Sequence, residues 1–142
     1  MTAASNYLEE KTLKHILQNV STNGASYTAP TNIYVSLHTG NPGEANDGAN
    51  EISGSGYARE LVTFGDVTTV ADVCSVSSNV TVTFNQATSN YSADVTYIGI
   101  YDSLDNTGTN NLLFYGALST AKTVTSGDVF QINSGSLTIT LD

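Results

Sequence analysis

The stretch NIYVSLH, residues 32–38, alternates strictly between apolar and polar or aromatic side chains. Its apolar side consists of Ile33, Val35 and Leu37, and its other side consists of Tyr34, Ser36 and His38. A period of two residues is typical of a β-strand, because successive side chains of an extended chain point to opposite faces. The stretch therefore predicts a strand with one face on a hydrophobic core.

Similar stretches recur along the chain, with turn signals between them. The further predicted strands are residues 57–64, 79–84, 94–102, 111–118, 122–126, 128–132 and 136–142. Gly99, inside the mostly apolar stretch 94–102, indicates burial on both faces or close contact by another backbone. This pattern predicts a mainly β single domain over residues 1–142, an antiparallel β-sandwich or partly open barrel of about eight strands.

Alternation also predicts which side chains face the core. The expected inward residues of the later strands are Val80, Val82, Phe84, Leu137, Ile139 and Leu141. The stretch GDVTTVADVCSVSS, residues 65–78, is ambiguous and is either a strand or an irregular connection. DSLDNTGTN, residues 102–110, predicts a hairpin turn because Asp, Asn and Gly are turn residues.

Residues 5–18, SNYLEEKTLKHILQ, predict a short N-terminal α-helix. Ser5 or Asn6 can cap it, because a side-chain oxygen at this position accepts from free backbone N–H groups. Its apolar stripe consists of Leu8, Leu13, Ile16 and Leu17. A helix this short is marginal alone, so it needs a surface to lie on, either its own sheet or a partner.

The charge balance excludes some partners. Thirteen acids against four Lys and Arg give a formal net charge of -9, and only Arg59 and Lys122 are cationic after His15. Nucleic-acid binding needs clustered cations, and an anionic membrane surface attracts them, so we expect neither partner. No apolar run approaches the length of a membrane span.

The residue types needed for catalysis or metal binding are sparse. Cys74, the single cysteine, lies in the Val-rich, acidic stretch ADVCSV and predicts a buried thiol rather than a nucleophile. One Cys and two distant His residues, His15 and His38, do not supply a zinc site. The stretches 45–51 and 102–110 are rich in oxygen ligands but lack calcium-loop spacing, so they indicate turns. We expect no cofactor and no enzymatic activity.

Residues 40–56 form a predicted loop of about seventeen residues, and connections of this length are usually functional or held by a partner. The loop is rich in Gly and Asn, contains no Lys and leads into a strand instead of a helix. The loop therefore does not have the features of a phosphate-binding loop, which leads into a helix and often carries a Lys. The remaining interpretation is a surface that contacts a neighbouring molecule.

Several motifs in order resemble a family of small virion proteins of tailed bacteriophages, tail-fibre-like or head-decoration (cement) proteins. They are SNYLEEKTLKHIL, YTAPTNIYVSLHTGNPGE, GSGYARELVTF, SNVTVTFNQAT, VTYIGIYD, NLLFYGAL and KTVTSGDVFQINSGSLTITL. The family's x-P-G loop is matched by Asn41, Pro42 and Gly43, and its G-Y-A-R junction by residues 56–59. The stretch 65–78 matches nothing in the family pattern.

The resemblance implies a non-enzymatic virion structural protein, made in the bacterial cytoplasm. Our first hypothesis is a cement protein on the outer head surface that binds the major capsid protein and copies of itself. The alternative is a tail or tail-fibre component involved in recognising host-surface glycans. The predicted partner-binding residues are Tyr7, Leu8, Leu13, His38, Asn41, Pro42, Gly43, Tyr57 and Arg59. For Arg59, an ion pair with Glu60, Glu51 or Asp66 is an equal alternative.

Overall fold

Ten short strands and one helix make up the described part of the fold. The computed structural model describes residues 3–17, 29–45, 48–104 and 111–141. The elements are β1 (Ala3–Ala4), α1 (Asn6–Leu17), β2 (Ile33–His38), β3 (Glu60–Val62), β4 (Thr68–Val70), β5 (Val73–Ser77), β6 (Val82–Thr83), β7 (Val95–Tyr101), β8 (Leu112–Lys122), β9 (Gln131–Ile132) and β10 (Thr138–Leu141).

The described strands form three antiparallel sheets. The largest has the order β1-β8-β7-β2-β3, a second has the order β10-β5-β4, and β6 pairs with β9. No closed barrel forms among the described residues. The predicted antiparallel β-sandwich is therefore confirmed.

The strand count exceeds the prediction for local reasons. The ambiguous stretch 65–78 contains two strands, β4 and β5, and Ala3–Ala4 adds an edge strand. The predicted strand 122–126 is wrong beyond Lys122, where β8 ends. There the Thr125 N–H donates to the Asp128 carboxylate at 2.8 Å, and Gly127 adopts a φ of 93°. A side-chain acceptor and a left-handed glycine turn the chain instead of extending it.

The predicted strand at residues 57–64, which begins within the G-Y-A-R junction, is also shorter in the structure than predicted. The stretch 57–64 contributes only β3, Glu60–Val62. Tyr57 precedes it in a turn, where its N–H donates to Gly54 O at 2.9 Å. Gly54 and Gly56 both have positive φ, so the chain bends before it enters the sheet.

The core lies between the sheets. Val35 and Leu37 of β2 are fully buried, and the ring of Phe84 packs edge-on against that of Phe130. The predicted inward positions of Val82, Phe84, Leu137 and Ile139 are confirmed. Those of Val80 and Leu141, which are 39% and 60% exposed, are wrong. Val80 lies in a bend before β6, and Leu141 is the last residue of the edge strand β10.

The helix follows the predicted bounds closely but buries none of its residues. Ser5 caps it: the Leu8 N–H donates to Ser5 Oγ at 3.3 Å, and the hydroxyl itself donates to Leu112 O of β8. Tyr7 and Leu8 pack against the core while still partly exposed. The helix is thus fixed to the sheet at its beginning. Gln18, the last residue of its predicted range, lies outside the described residues.

A two-residue turn joins β4 and β5, because Val70 pairs directly with Val73. Ala71 and Asp72 have φ values of 50° and 67°. Two left-handed residues match a type I′ turn, whose twist suits an antiparallel hairpin. Both turn residues are exposed, as are all three residues of β4. The turn end of the β4–β5 hairpin therefore buries little surface.

Candidate functional site

The predicted contact loop is held against the main sheet of its own chain. Ile52 N–H donates to Leu37 O at 2.9 Å, and Thr39 N–H donates to Asn50 O at 2.9 Å. His38 and Glu51 form an isolated antiparallel bridge. Residues 50–52 therefore pair with the end of β2, on the edge that β3 occupies further along the strand.

An ion pair fixes this segment to the chain that enters β3. The Arg59 Nε and Nη2 groups donate to Glu51 Oε1 and Oε2 at 2.8 and 2.6 Å. The side chains are 1% and 6% exposed. Arg59 Nη1 also donates to Ser103 O at 3.0 Å. Of the two interpretations of Arg59, the structure shows the ion pair, with Glu51 as partner; Arg59 offers little surface to another molecule.

Tyr57 completes the same network. Its hydroxyl donates to Glu51 Oε1 at 2.9 Å and accepts from Leu37 N–H at 3.0 Å. Burial, with the nearby carboxylate of Glu51 as a second cause, raises the pKa of Tyr57 well above its ordinary value. The phenol is therefore a neutral structural donor.

The polar face of β2 carries a second buried cluster. Ser36 Oγ lies 2.7 Å from His38 Nε2, and His38 Nδ1 lies 2.9 Å from Ala49 O. Ser36 and His38 have no exposed surface. His38 thus contacts the loop of its own chain, and a partner reaches it only if that loop moves.

Gly99 explains how this cluster fits against β7. A Cβ at Gly99 would lie 2.7 Å from Ser36 Oγ, 2.7 Å from Tyr101 Cε2 and 3.0 Å from His38 Nε2. Gly99 is buried, as the sequence predicted. The groups that lie close to it are side chains rather than another backbone. The missing side chain leaves space for the hydrogen-bonded pair.

The x-P-G turn of the loop is partly accessible. Asn41 is exposed, Pro42 is buried and Gly43 is half-buried. The Gly43 N–H donates to Asn41 Oδ1 at 2.8 Å, and Asn50 Nδ2 donates to Asn41 O at 2.9 Å. Of these three predicted contact residues, Asn41 presents the most accessible side chain, on a turn that its own amide stabilises.

A separate apolar surface lies beside the helix. Leu13 and Ile16 are 58% and 69% exposed, and Leu17 is exposed as well. Leu13 also lines an apolar groove with a volume of about 360 Å³, whose other lining residues are Ala4, Leu8, Glu9, Thr12, Phe114 and Leu141. A second hollow of about 370 Å³ between the sheets shares Phe114 and Leu141 with it. The structure therefore divides the predicted contact residues into two groups. One group lies on the helix (Tyr7, Leu8 and Leu13), and the other lies in the loop or beside it (His38, Asn41, Pro42, Gly43, Tyr57 and Arg59).

The remaining chemistry-bearing residues are scattered. Cys74 is exposed, so its predicted burial is wrong; it lies on β5, the middle strand of the β10-β5-β4 sheet. His15 is exposed on α1. Within the described ranges, no group of three or more His, Cys, Asp or Glu side chains is placed to hold a metal ion. No helix in the described part of the chain has the length and apolarity to cross a membrane.

The sequence analysis did not single out Ser36 or Tyr101 as site residues. Glu51 was one of three candidate partners for Arg59, but its role depends on the path of the loop. Tyr101 lies under the Arg59 guanidinium, which is 3.6 Å from the ring centroid. Gly99, two residues before Tyr101, is the sequence signal that a crowded site lies here.

These features describe a β-sandwich whose long loop is fixed by buried polar contacts and whose helix leaves an apolar surface open. The chain belongs to the family described as Podophage GP4 fiber I protein gp80, whose model matches residues 3–140. The sequence-based resemblance to a small, tail-fibre-like phage protein family is thereby confirmed. No curated protein matches the chain.

Proposed function

We propose that this protein is a structural subunit of a phage tail fibre and that it catalyses no reaction. The family match over residues 3–140 carries the proposal, because the family is described by a fibre protein. It supports the tail-fibre alternative over our first hypothesis, a cement protein on the head. Glycan recognition by this subunit stays a prediction, which binding to a glycan array tests.

The loop network suits a subunit that must keep its shape inside an assembly. Arg59, Glu51 and Tyr57 tie the turn before β3 to the segment beside β2 through buried, charge-assisted hydrogen bonds. Such bonds are about twice as strong as neutral ones. A long connection that would otherwise be adaptable is thus held in one conformation.

We assign contact with a second copy to the exposed stripe of α1 and the apolar groove beside it. Leu13 and Ile16 would be covered, which removes apolar surface from water. The helix has Glu9 in its first turn and Lys14 and His15 in its last. Two copies of α1 packed antiparallel would bring the acidic end of one against the basic end of the other. This complementarity favours a second copy as the occupant.

Localisation on virions tests the proposed function. Gold-labelled antibodies against the purified protein, applied to intact phage, are expected to label the tail region in electron micrographs. Antibodies against the major capsid protein supply the matched control for head labelling. Labelling distributed over the head would overturn the tail-fibre proposal and restore the cement reading, in which the protein binds the major capsid protein.

A further inference from the structure

An apolar hollow with a volume of about 370 Å³ opens between the main sheet and the β10-β5-β4 sheet. This inter-sheet hollow is lined on one side by Ile33, Ile100 and Phe114 of the main sheet, and on the other by Val67, Cys74 and Leu141. The last three are all exposed to solvent. Contiguous apolar surface that stays uncovered is a mark of interaction sites.

The inter-sheet hollow lies directly beside the groove at α1, because Phe114 and Leu141 line both. A helix with its side chains is about 10 Å across. If the α1 helix of a second copy occupies the groove, it therefore has the first copy's α1 on one flank and the inter-sheet hollow on the other. The hollow is within reach of the same partner.

The exposed stripe of α1 spreads out at its last turn. Consecutive residues of a helix are about 100° apart around its axis, so Ile16 and Leu17 lie on opposite sides of a line through Leu13. Ile16 and Leu17 are 69% and 73% exposed. When Leu13 of the second copy packs onto Phe114, one of these two side chains points toward the first copy's α1 and the other points toward the inter-sheet hollow.

Acidic side chains border the inter-sheet hollow. Asp66 directly precedes Val67, and Asp72 lies in the β4–β5 turn, two residues before Cys74. Both aspartates are exposed. An occupant that combines apolar side chains with positive charge therefore complements this surface.

The last turn of α1 has this combination, because Lys14 and His15 lie beside its apolar stripe. Lys14 pairs with Glu10 on the helix surface, but 35% of its side chain stays exposed. Outside the helix, the Lys and Arg residues of the chain are Arg59, which is buried in its ion pair, and Lys122. Among the described elements, α1 therefore matches the charge and apolarity of the hollow best.

We propose that the inter-sheet hollow binds the last turn of α1 from a second copy of this chain, which inserts Ile16 or Leu17 between the sheets. The contact depends on the self-association that the proposed function assigns to α1, and it adds a second surface to that association. In a two-fold pair each copy supplies one helix end and one hollow, so the contact forms twice. Cys74 becomes covered when the copies associate.

Cys74 gives a direct test, because this single cysteine lines the hollow and is exposed. The unmodified protein is mixed with a variant that carries Ile16→Cys or Leu17→Cys together with Cys74→Ser, and a short bismaleimide is added after the subunits have exchanged. Mass spectrometry is expected to find residue 74 linked to residue 16 or 17, a link that can form only between copies. Val129→Cys with Cys74→Ser, at another exposed apolar position, is the matched control and is expected to give no link.

The reactivity of Cys74 in the unmodified protein gives an independent measurement. Its labelling by a maleimide is expected to slow roughly tenfold when about nine-tenths of the chains are associated, because only free chains then react. Leu13→Ser combined with Ile16→Ser is expected to keep fast labelling at the same concentrations.

Sedimentation equilibrium on the same samples separates the possible failures. If the copies associate but neither helix position links to Cys74, or if its labelling rate stays constant, the proposed contact in the hollow is overturned and self-association stands. If the copies do not associate at all, both are overturned. The location of the protein on the virion is decided separately, by the antibody labelling.

Discussion

The Arg59 guanidinium lies over the face of the Tyr101 ring, 3.6 Å from its centroid, while its edge forms a two-point ion pair with Glu51. One cation thus has an aromatic face, a carboxylate and a backbone carbonyl around it. Three parts of the chain meet at this residue: the turn before β3, segment 48–52, and the end of β7. Its removal from water is tolerable only while these partners stay in place.

Glu51→Gln is expected to lower the free energy of unfolding by about 3–5 kcal/mol, because it leaves a buried guanidinium without its counter-charge. Urea denaturation followed by circular dichroism measures the loss. Glu10→Gln is the matched control, since Glu10 pairs with Lys14 on the exposed helix surface. That control is expected to leave the free energy of unfolding nearly unchanged, because solvent screens the exposed pair. Equal effects of both substitutions would contradict the structural importance of the buried pair.

Gly99→Ala is expected to destabilise the fold by about 1–3 kcal/mol, because the added methyl group would overlap Ser36 and Tyr101. Thermal unfolding measures the change. Gly65→Ala is the control, since the nearest atom to its Cβ is 3.8 Å away. A Gly99→Ala protein as stable as the control would mean that the cluster at β2 and β7 is not tightly packed.

Stability is expected to fall in alkaline solution partly through Tyr57. Its folded-state pKa is raised above 10.0 mainly by burial, so its contribution is complete below about pH 10 and is lost at higher pH as the unfolded chain ionises. The slope from this one group is up to about 1.4 kcal/mol per pH unit. Urea denaturation between pH 9 and pH 11 measures it.

Tyr57→Phe separates this slope from the other tyrosines. The variant is expected to be less stable at neutral pH, because Glu51 and the Leu37 amide lose a partner, but also less sensitive to alkali. Tyr115→Phe, which removes a more accessible hydroxyl bonded to Glu44, is the control. An alkaline slope unchanged in Tyr57→Phe would show that the phenol already ionises in the folded protein.

Leu13→Ser combined with Ile16→Ser is expected to weaken self-association at least tenfold without lowering the unfolding temperature, because both side chains are exposed in the single chain. Sedimentation equilibrium measures the association. Val129→Ser, at an exposed apolar residue next to β9, is the matched control. If the helix variant associates as the unmodified protein does, the second copy does not bind there.

The alternating stretches predicted the sheets well, because a strand with one buried face has apolar and polar residues in alternation along the sequence. The stretch 65–78 shows no such alternation. Every residue of β4 is exposed, so its Thr and Val residues are not sorted between a buried and an exposed face. The helix shows the opposite difficulty. Its apolar stripe was evident, but whether its own sheet covers Leu13 depends on how the helix meets β8.

The candidate site was predictable only in part. Tyr57 and Arg59 were singled out, yet the acid that pairs with Arg59 depends on a loop path that local patterns do not encode. Cys74 shows the same limit, since its apolar neighbours predicted burial and the thiol is exposed in the structure. The predictions that differ from the structure concern which distant residues come into contact, more than which local conformation each segment adopts.

The exposed turn at Ala71–Asp72 has a practical consequence. It lies at the tip of a hairpin that contributes little burial, and a left-handed Ala there is strained relative to Gly or Asn. Exposed tips of this kind tolerate insertions, because no core contact is displaced. A foreign peptide inserted between these two residues would therefore be displayed from the hairpin tip, and the turn offers a grafting point for labelling the protein.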